Sequence, residues 1–233
     1  MRIHSIKLFT KQLEQLKRFY TYDLGLPLVE SSNNTITVKV GHSELIFEQT
    51  DNAEESPFYH FAFDIPENKI DESIAWLNSV GVKLNLLPNL SNIAISKTWN
   101  ATSIYFYDPA ENIVELIARH SLDNAILTPF TGKELLNISE IGLVVNDVNS
   151  IKDLLSTNYL ITGYKDSKEE FAAVGDEDGL FILSAYRRVW LGSEKKADIF
   201  KTEITVEGAQ EGDFSIGQYP YHVSLVNSSL SEG

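Results

Sequence analysis

The sequence predicts an α+β fold in which one short unit, β-α-β-β-β, is used repeatedly. Three observations carry this. A strand-like alternation followed by a helix-like run begins near residues 3, 57 and 138. The stretch ISEIGLVVNDVNSIKDLL from Ile138 lays over IHSIKLFTKQLEQLKRFY from Ile3 without a gap. The stretch SIYFYDPAENIVELIAR, Ser103 to Arg119, reads as two strands joined by a turn. Each unit spans about 55–65 residues, too few to bury a core alone, so units must pack on one another.

Residues 2–9 alternate like a strand, with His4, Ile6 and Leu8 on one face. A helix follows, marked by Leu13, Leu16, Phe19 and Tyr20, with Thr10 placed to cap it and Gly25 to stop it. Strands are expected around 27–31, 35–40 and 44–49, then a polar loop over 50–57. The order restarts with PFYHFAFDI (57–65), whose His60, Ala62 and Asp64 share a face. A helix over 67–80 ends at Gly81, and 82–87 is a strand candidate. The hairpin completes this second unit. In its turn Pro109 presets φ and Asn112 suits the left-handed region. Ile113, Glu115, Ile117 and Arg119 share one face of its second strand, and Ser103, Tyr105 and Tyr107 one face of its first.

A third unit starts at Ile138, where Ser139 falls opposite His4. A fourth start is read at YPYHVSLVN (219–227), with His222 opposite His60. GDEDG (175–179) lacks the spacing of a calcium loop and reads as a turn. The organisation that follows is a complete domain over 1–120, a linker over 121–137 and a second, incomplete domain of related type over 138–233.

Composition narrows the function. The formal net charge is −14 over 233 residues, which argues against nucleic acid or an anionic membrane surface as partner. No apolar run is long enough to span a membrane. Cysteine is absent, which excludes a disulfide framework, a thiolate nucleophile and Cys-ligated zinc. A cytoplasmic protein is the expectation, and open edges of an incomplete fourth unit suggest a homodimer.

HSIKLF, RFYTYDLGLPLV, YHFAFDI and YFYDPAENIVELI, in that arrangement, resemble the vicinal oxygen chelate superfamily: glyoxalase I, extradiol ring-cleaving dioxygenases and bleomycin-resistance proteins. The resemblance implies curved mixed sheets with helices outside and a divalent metal in the cleft. It implies His4, His60 and Glu115 as metal ligands, and the face count puts all three on the side not reserved for helix packing. Such a set suits Fe(II) or Mn(II) foremost, and Zn(II) or Ni(II) otherwise, with open positions for a chelating small-molecule substrate that could be aromatic. The fourth glyoxalase ligand would fall at Ile46, and the C-terminal domain is expected to lack a metal site of its own. Tyr105, four residues before Pro109 and ten before Glu115, matches the catalytic tyrosine of the ring-cleaving dioxygenases. Their preceding acid–base His has no match among Ser96, Lys97 and Thr98, and their Gly or Pro position is Glu111. Arg119 is a candidate for pairing with a substrate carboxylate. A dioxygenase acting on a catechol-like substrate leads. A glyoxalase-type isomerase or lyase and a non-catalytic binding protein are the alternatives.

Overall fold

The computed structural model describes residues 1–52, 54, 56–207 and 211–227. The first unit is β1 (Ile3–Thr10), α1 (Leu13–Arg18), β2 (Leu28–Ser31), β3 (Thr35–Val40) and β4 (Ser43–Gln49). The second is β5 (His60–Ile65), α2 (Ile70–Ser79), β6 (Ala94–Ser96), β7 (Ala101–Tyr107) and β8 (Ile113–Arg119). The third is β9 (Asn137–Val145), α3 (Val148–Tyr159), β10 (Gly163–Lys168), β11 (Phe171–Asp176) and β12 (Gly179–Ala185). The chain then adds β13 (Thr202–Glu207), β14 (Gly212–Ser215) and β15 (Tyr221–Val226).

Local expectations fare unevenly. The helix read from Leu13 starts there, but its N-cap residue is Gln12 rather than Thr10; a π-helical turn, Phe19–Asp23, continues it, and Gly25 stands just beyond at φ +69°. Residues 82–87 contribute only an isolated bridge, Leu84 to Phe106, and the strand of that region is β6, after the loop. In the β7–β8 turn the left-handed residue is Glu111, at φ +62°, where the resemblance expects Gly or Pro. Asn112 is instead buried, its amide donating to Asp108 at 2.8 Å and its oxygen accepting from the Tyr59 N–H at 2.9 Å.

The strands form a seven-stranded sheet, β14-β15-β13-β1-β4-β3-β2, and an eight-stranded sheet, β10-β11-β12-β9-β5-β8-β7-β6. This corrects the division at 121–137. The first unit shares a sheet with the C-terminal strands, and the second with the third. The cause is edge pairing: β1 bonds antiparallel to β13, and β5 antiparallel to β9. Residues 1–120 therefore contribute to both sheets.

The start of the last unit also moves. β15 runs parallel to β13 as β4 does to β1, β8 to β5 and β12 to β9. β15 is thus the last strand of a unit that begins at Thr202, with no helix among its described residues. His222 does not occupy the place of His60, and pairs with Asp213 at 3.3 Å.

One apolar core joins the two sheets and the helices. Ile6, Leu8 and Phe47 enter it from the seven-stranded sheet, Phe61, Phe63, Leu116 and Leu143 from the other, and Leu16, Leu77 and Leu155 from the helices. Burying apolar area of this kind is the main stabilising term. The opposite face of the eight-stranded sheet is buried too, so every residue of β8 is buried, including Glu115 and Arg119. Among the described residues no helix is long and apolar enough to cross a membrane.

Candidate metal centre

His60, Glu115 and Glu140 meet on the face of the eight-stranded sheet that turns away from the helices. β5 lies between β8 and β9, and Ala62 pairs with Glu115 on one side and Glu140 on the other. Cross-strand partners on one face approach to about 4.5–5.5 Å. The small side chain of Ala62 leaves the space above it to the two carboxylates, and His60, two residues earlier, shares that face. One donor atom from each of the three lies within 4.8 Å of the others.

The imidazole is already oriented. His60 Nδ1 lies 3.2 Å from the Ile113 carbonyl, which can only accept, so Nδ1 carries the hydrogen and Nε2 keeps its lone pair. Nε2 stands 3.5 Å from Glu115 Oε2. Burial pushes the ring down to about 4, with the Ile113 bond opposing and the Arg188 charge adding to the fall. A neutral imidazole with a bare Nε2 is the form that ligates a metal.

Neither carboxylate is well compensated as an anion, and both are held toward the protonated form. Burial foremost, then the Glu140 charge, raises Glu115 to about 8, against the pull of Ser103, Tyr105 and Arg119. Glu140 is also raised by burial, and only Arg119 opposes this. Arg119 is 1 % exposed, and its Nη2 donates to Glu140 Oε1 at 2.5 Å and to Ser139 Oγ at 2.9 Å. Its Nε pairs with Asp64 Oδ1 at 3.3 Å. One guanidinium thus serves three buried carboxylates: Asp64, Glu140 and, at longer range, Glu115. A divalent cation fits this donor set, because it would supply the missing positive charge to one free nitrogen and two oxygens.

A cavity of about 780 Å³ opens over the three residues. Tyr105 and Ser103 reach it from β7, and Tyr105 pairs directly with Glu115. Burial and the charges of Glu115 and Glu140 push the phenol well above its usual range. The segment after β12 folds over the cavity as a short hairpin, bridged between Val189 and Lys196. It sets the Trp190 ring 4.9 Å from that of His60. Two glycines permit this. A Cβ on Gly142 would stand 2.7 Å from the Trp190 ring, and one on Gly192, at φ +70°, would stand 2.3 Å from the Tyr105 ring. Trp99 and Phe171 form the facing wall, 6.3 Å apart.

No family model matches the sequence, and no curated protein does. Solved structures do match. A Bacillus subtilis protein provisionally described as a dioxygenase superposes with a TM-score of 0.64 at 13% identity, covering 97% of this chain and 85% of that one. Glyoxalase I of Zea mays, as a mutant form, superposes with a TM-score of 0.59 at 12% identity, covering 98% of this chain and 94% of that one. The chain has the vicinal oxygen chelate fold.

Within the vicinal oxygen chelate fold the predicted site residues separate. His60 and Glu115 come together, with Tyr105 beside them. His4 does not join them, because β1 belongs to the other sheet. Its Nε2 is buried 3.6 Å from Glu207 Oε1. Ile46 likewise lies on the seven-stranded sheet. The third member of the group is Glu140, from a domain expected to lack a metal site of its own.

A bulge explains why Glu140 was missed. On β9, Ile138 and Glu140 pair with successive residues of β5, so Ser139 is an extra residue. On β1 the register breaks in the same way between Ile3 and Ser5, at His4. Ser139 does match His4, but both sit in bulges, and the residue after Ser139 faces the cavity. A signal existed: Glu140, Gly142 and Val144 alternate with core residues Ile141, Leu143 and Val145. Arg119, a candidate in the sequence for pairing with a substrate carboxylate, is held by Asp64, Ser139 and Glu140.

Proposed function

We propose that this protein is a divalent-metal-dependent enzyme acting on a small substrate with two adjacent oxygens, and that its reaction is of the ring-cleaving dioxygenase type. The observation that carries this reading is the meeting of His60, Glu115 and Glu140 under a cavity that Tyr105 also lines. A bound Fe(II) or Mn(II) ion would supply Lewis acidity and open coordination positions for the substrate oxygens.

The remaining chemistry belongs to the side chains. His60 Nε2 and the two carboxylates bind the ion, and Arg119 fixes the rotamer of Glu140. Trp99, Phe171 and Trp190 offer flat apolar faces to a planar ring and exclude water around it. The Tyr105 phenol keeps its proton at neutral pH and so can donate a hydrogen bond to a substrate oxygen. The B. subtilis neighbour supports this reading at the level of fold. Glu140 favours a second reading: a carboxylate rather than a second imidazole offers a general base for a glyoxalase-type isomerisation. Association with a second copy has a physical basis in β2, an edge strand whose four residues are all exposed.

Elemental analysis of protein purified without chelators, followed by oxygen uptake with a panel of catechols, tests the proposal. Stoichiometric iron or manganese with catechol-dependent uptake supports it. Zinc or nickel with isomerisation of a hemithioacetal favours the second reading. Absence of metal leaves a binding protein and overturns both.

A further inference from the structure

The geometry points to an anionic substrate, held through a carboxylate by Arg188; this rests on the small-molecule site proposed above. Arg188 lies in the hairpin after β12, between Ala185, whose carbonyl accepts from its N–H at 3.1 Å, and the Val189–Lys196 bridge. Its guanidinium lines the cavity and stacks on the Phe171 ring at 4.9 Å. That placement fixes a planar fork in a half-buried position facing His60 and Tyr105 across the cavity, close enough for its charge to act on both. Yet among the described residues no carboxylate lies within ion-pair distance of it; the exposed Glu170 acts on it only from further away.

The contrast with Arg119 is informative. Arg119 is enclosed and has partners on two sides, so its charge is compensated within the protein. Arg188 is desolvated by burial without that compensation, which costs stability unless something else meets the charge. A guanidinium matches a carboxylate with two parallel hydrogen bonds, and a stacked guanidinium has its edge free to do so. A flat molecule between Trp99, Phe171 and Trp190, with vicinal oxygens over His60, Glu115 and Glu140, would present such a group to Arg188. Glu169 and Glu170, which also line the cavity, are exposed and solvated. They would turn a second anionic group on the ligand away from the mouth.

The test uses two pairs of probes, each a carboxylate and its neutral counterpart. Protocatechuate and its methyl ester are titrated into metal-loaded protein. Naphthoate and naphthamide, which have no vicinal oxygens, are titrated into chelator-treated protein. In each pair the wild type should favour the carboxylate by about tenfold or more, the scale of a charge-assisted pair. Arg188→Met should bring the ratio close to one, and Arg188→Lys should leave it intermediate. Thermal midpoints of the variants establish that they fold. Wild type that shows no preference in either pair, or a preference that survives in folded Arg188→Met, overturns the inference. The arms separate it from the metal reading. Naphthoate selectivity lost in Arg188→Met, with no catechol bound, sustains Arg188 and sinks the metal site. Metal-dependent catechol binding that ignores Arg188 does the reverse.

Discussion

Arg119 and Glu140 form a 2.5 Å ion pair although their strands are not neighbours: β5 runs between β8 and β9, and the guanidinium crosses it, touching Asp64 on the way. A single cation therefore ties three adjacent strands at the floor of the cavity. Breaking a buried pair by removing one partner leaves an uncompensated charge and typically costs about 3–5 kcal/mol. Arg119→Met should lower the stability of the metal-free protein by that order, read from urea denaturation. A loss within experimental error would mean that Asp64 and Glu140 are already neutral there.

His60→Ala, Glu115→Gln and Glu140→Gln should each remove most of the bound metal, while His4→Ala should leave it in place. Affinity depends on several ligands acting together, so one deletion is felt steeply. Elemental analysis should give at most one ion per chain. Metal lost from His4→Ala, or retained in Glu140→Gln, would refute the ligand set.

Tyr105→Phe separates enzyme from binding protein. Under the dioxygenase reading turnover falls about 10²-fold or more with metal content unchanged, the scale for one acid–base or oxyanion partner. For a protein that only binds, affinity shifts by about 0.5–1.5 kcal/mol, the net worth of one hydrogen bond. Single-turnover kinetics beside a binding titration distinguishes these.

The metal-free protein should lose stability as pH rises from about 6.5 to about 8, a window set by the unfolded histidine value and by Glu115 at about 8. The folded state keeps a proton on Glu115 there that the unfolded chain has already released, so raising pH favours unfolding. His60, lowered to about 4, acts with the opposite sign but only below this window. Asp64 and Asp108, raised to about 6, share the sign of Glu115 but act below it too. Glu115→Gln should flatten the slope in denaturation curves taken across the window. A slope unchanged in that variant would assign the effect elsewhere.

Much of this was legible in the residues. The β-α-β-β-β order, the hairpin and the shared face of His60 and Glu115 follow from alternation, which is local. Which units share a sheet is not local. β1 could pair with the second unit or with β13, and nothing in IHSIKLFT distinguishes them. Glu140 was hidden because a bulge changes the phase of alternation at one residue. Arg119 read as a candidate for a substrate carboxylate, since a sequence does not show that Asp64, Ser139 and Glu140 gather around it.

The pairing of β1 with β13 has a consequence for how the protein is made. Residues 60–185 contain every strand of the eight-stranded sheet, so that sheet can close while the chain is still emerging. β1 finds β4 early, but its other edge stays open until Thr202–Glu207 leave the ribosome, about 10–40 s later at typical synthesis rates. Over the last stretch of that interval, about 1–4 s of synthesis between Ala185 and Glu207, the nascent chain carries an unpaired strand edge beside a finished half, an arrangement open to capture by a neighbouring chain. Such an intermediate should be the species that chaperones hold, and slowing translation beyond residue 185 should lower the yield of native protein.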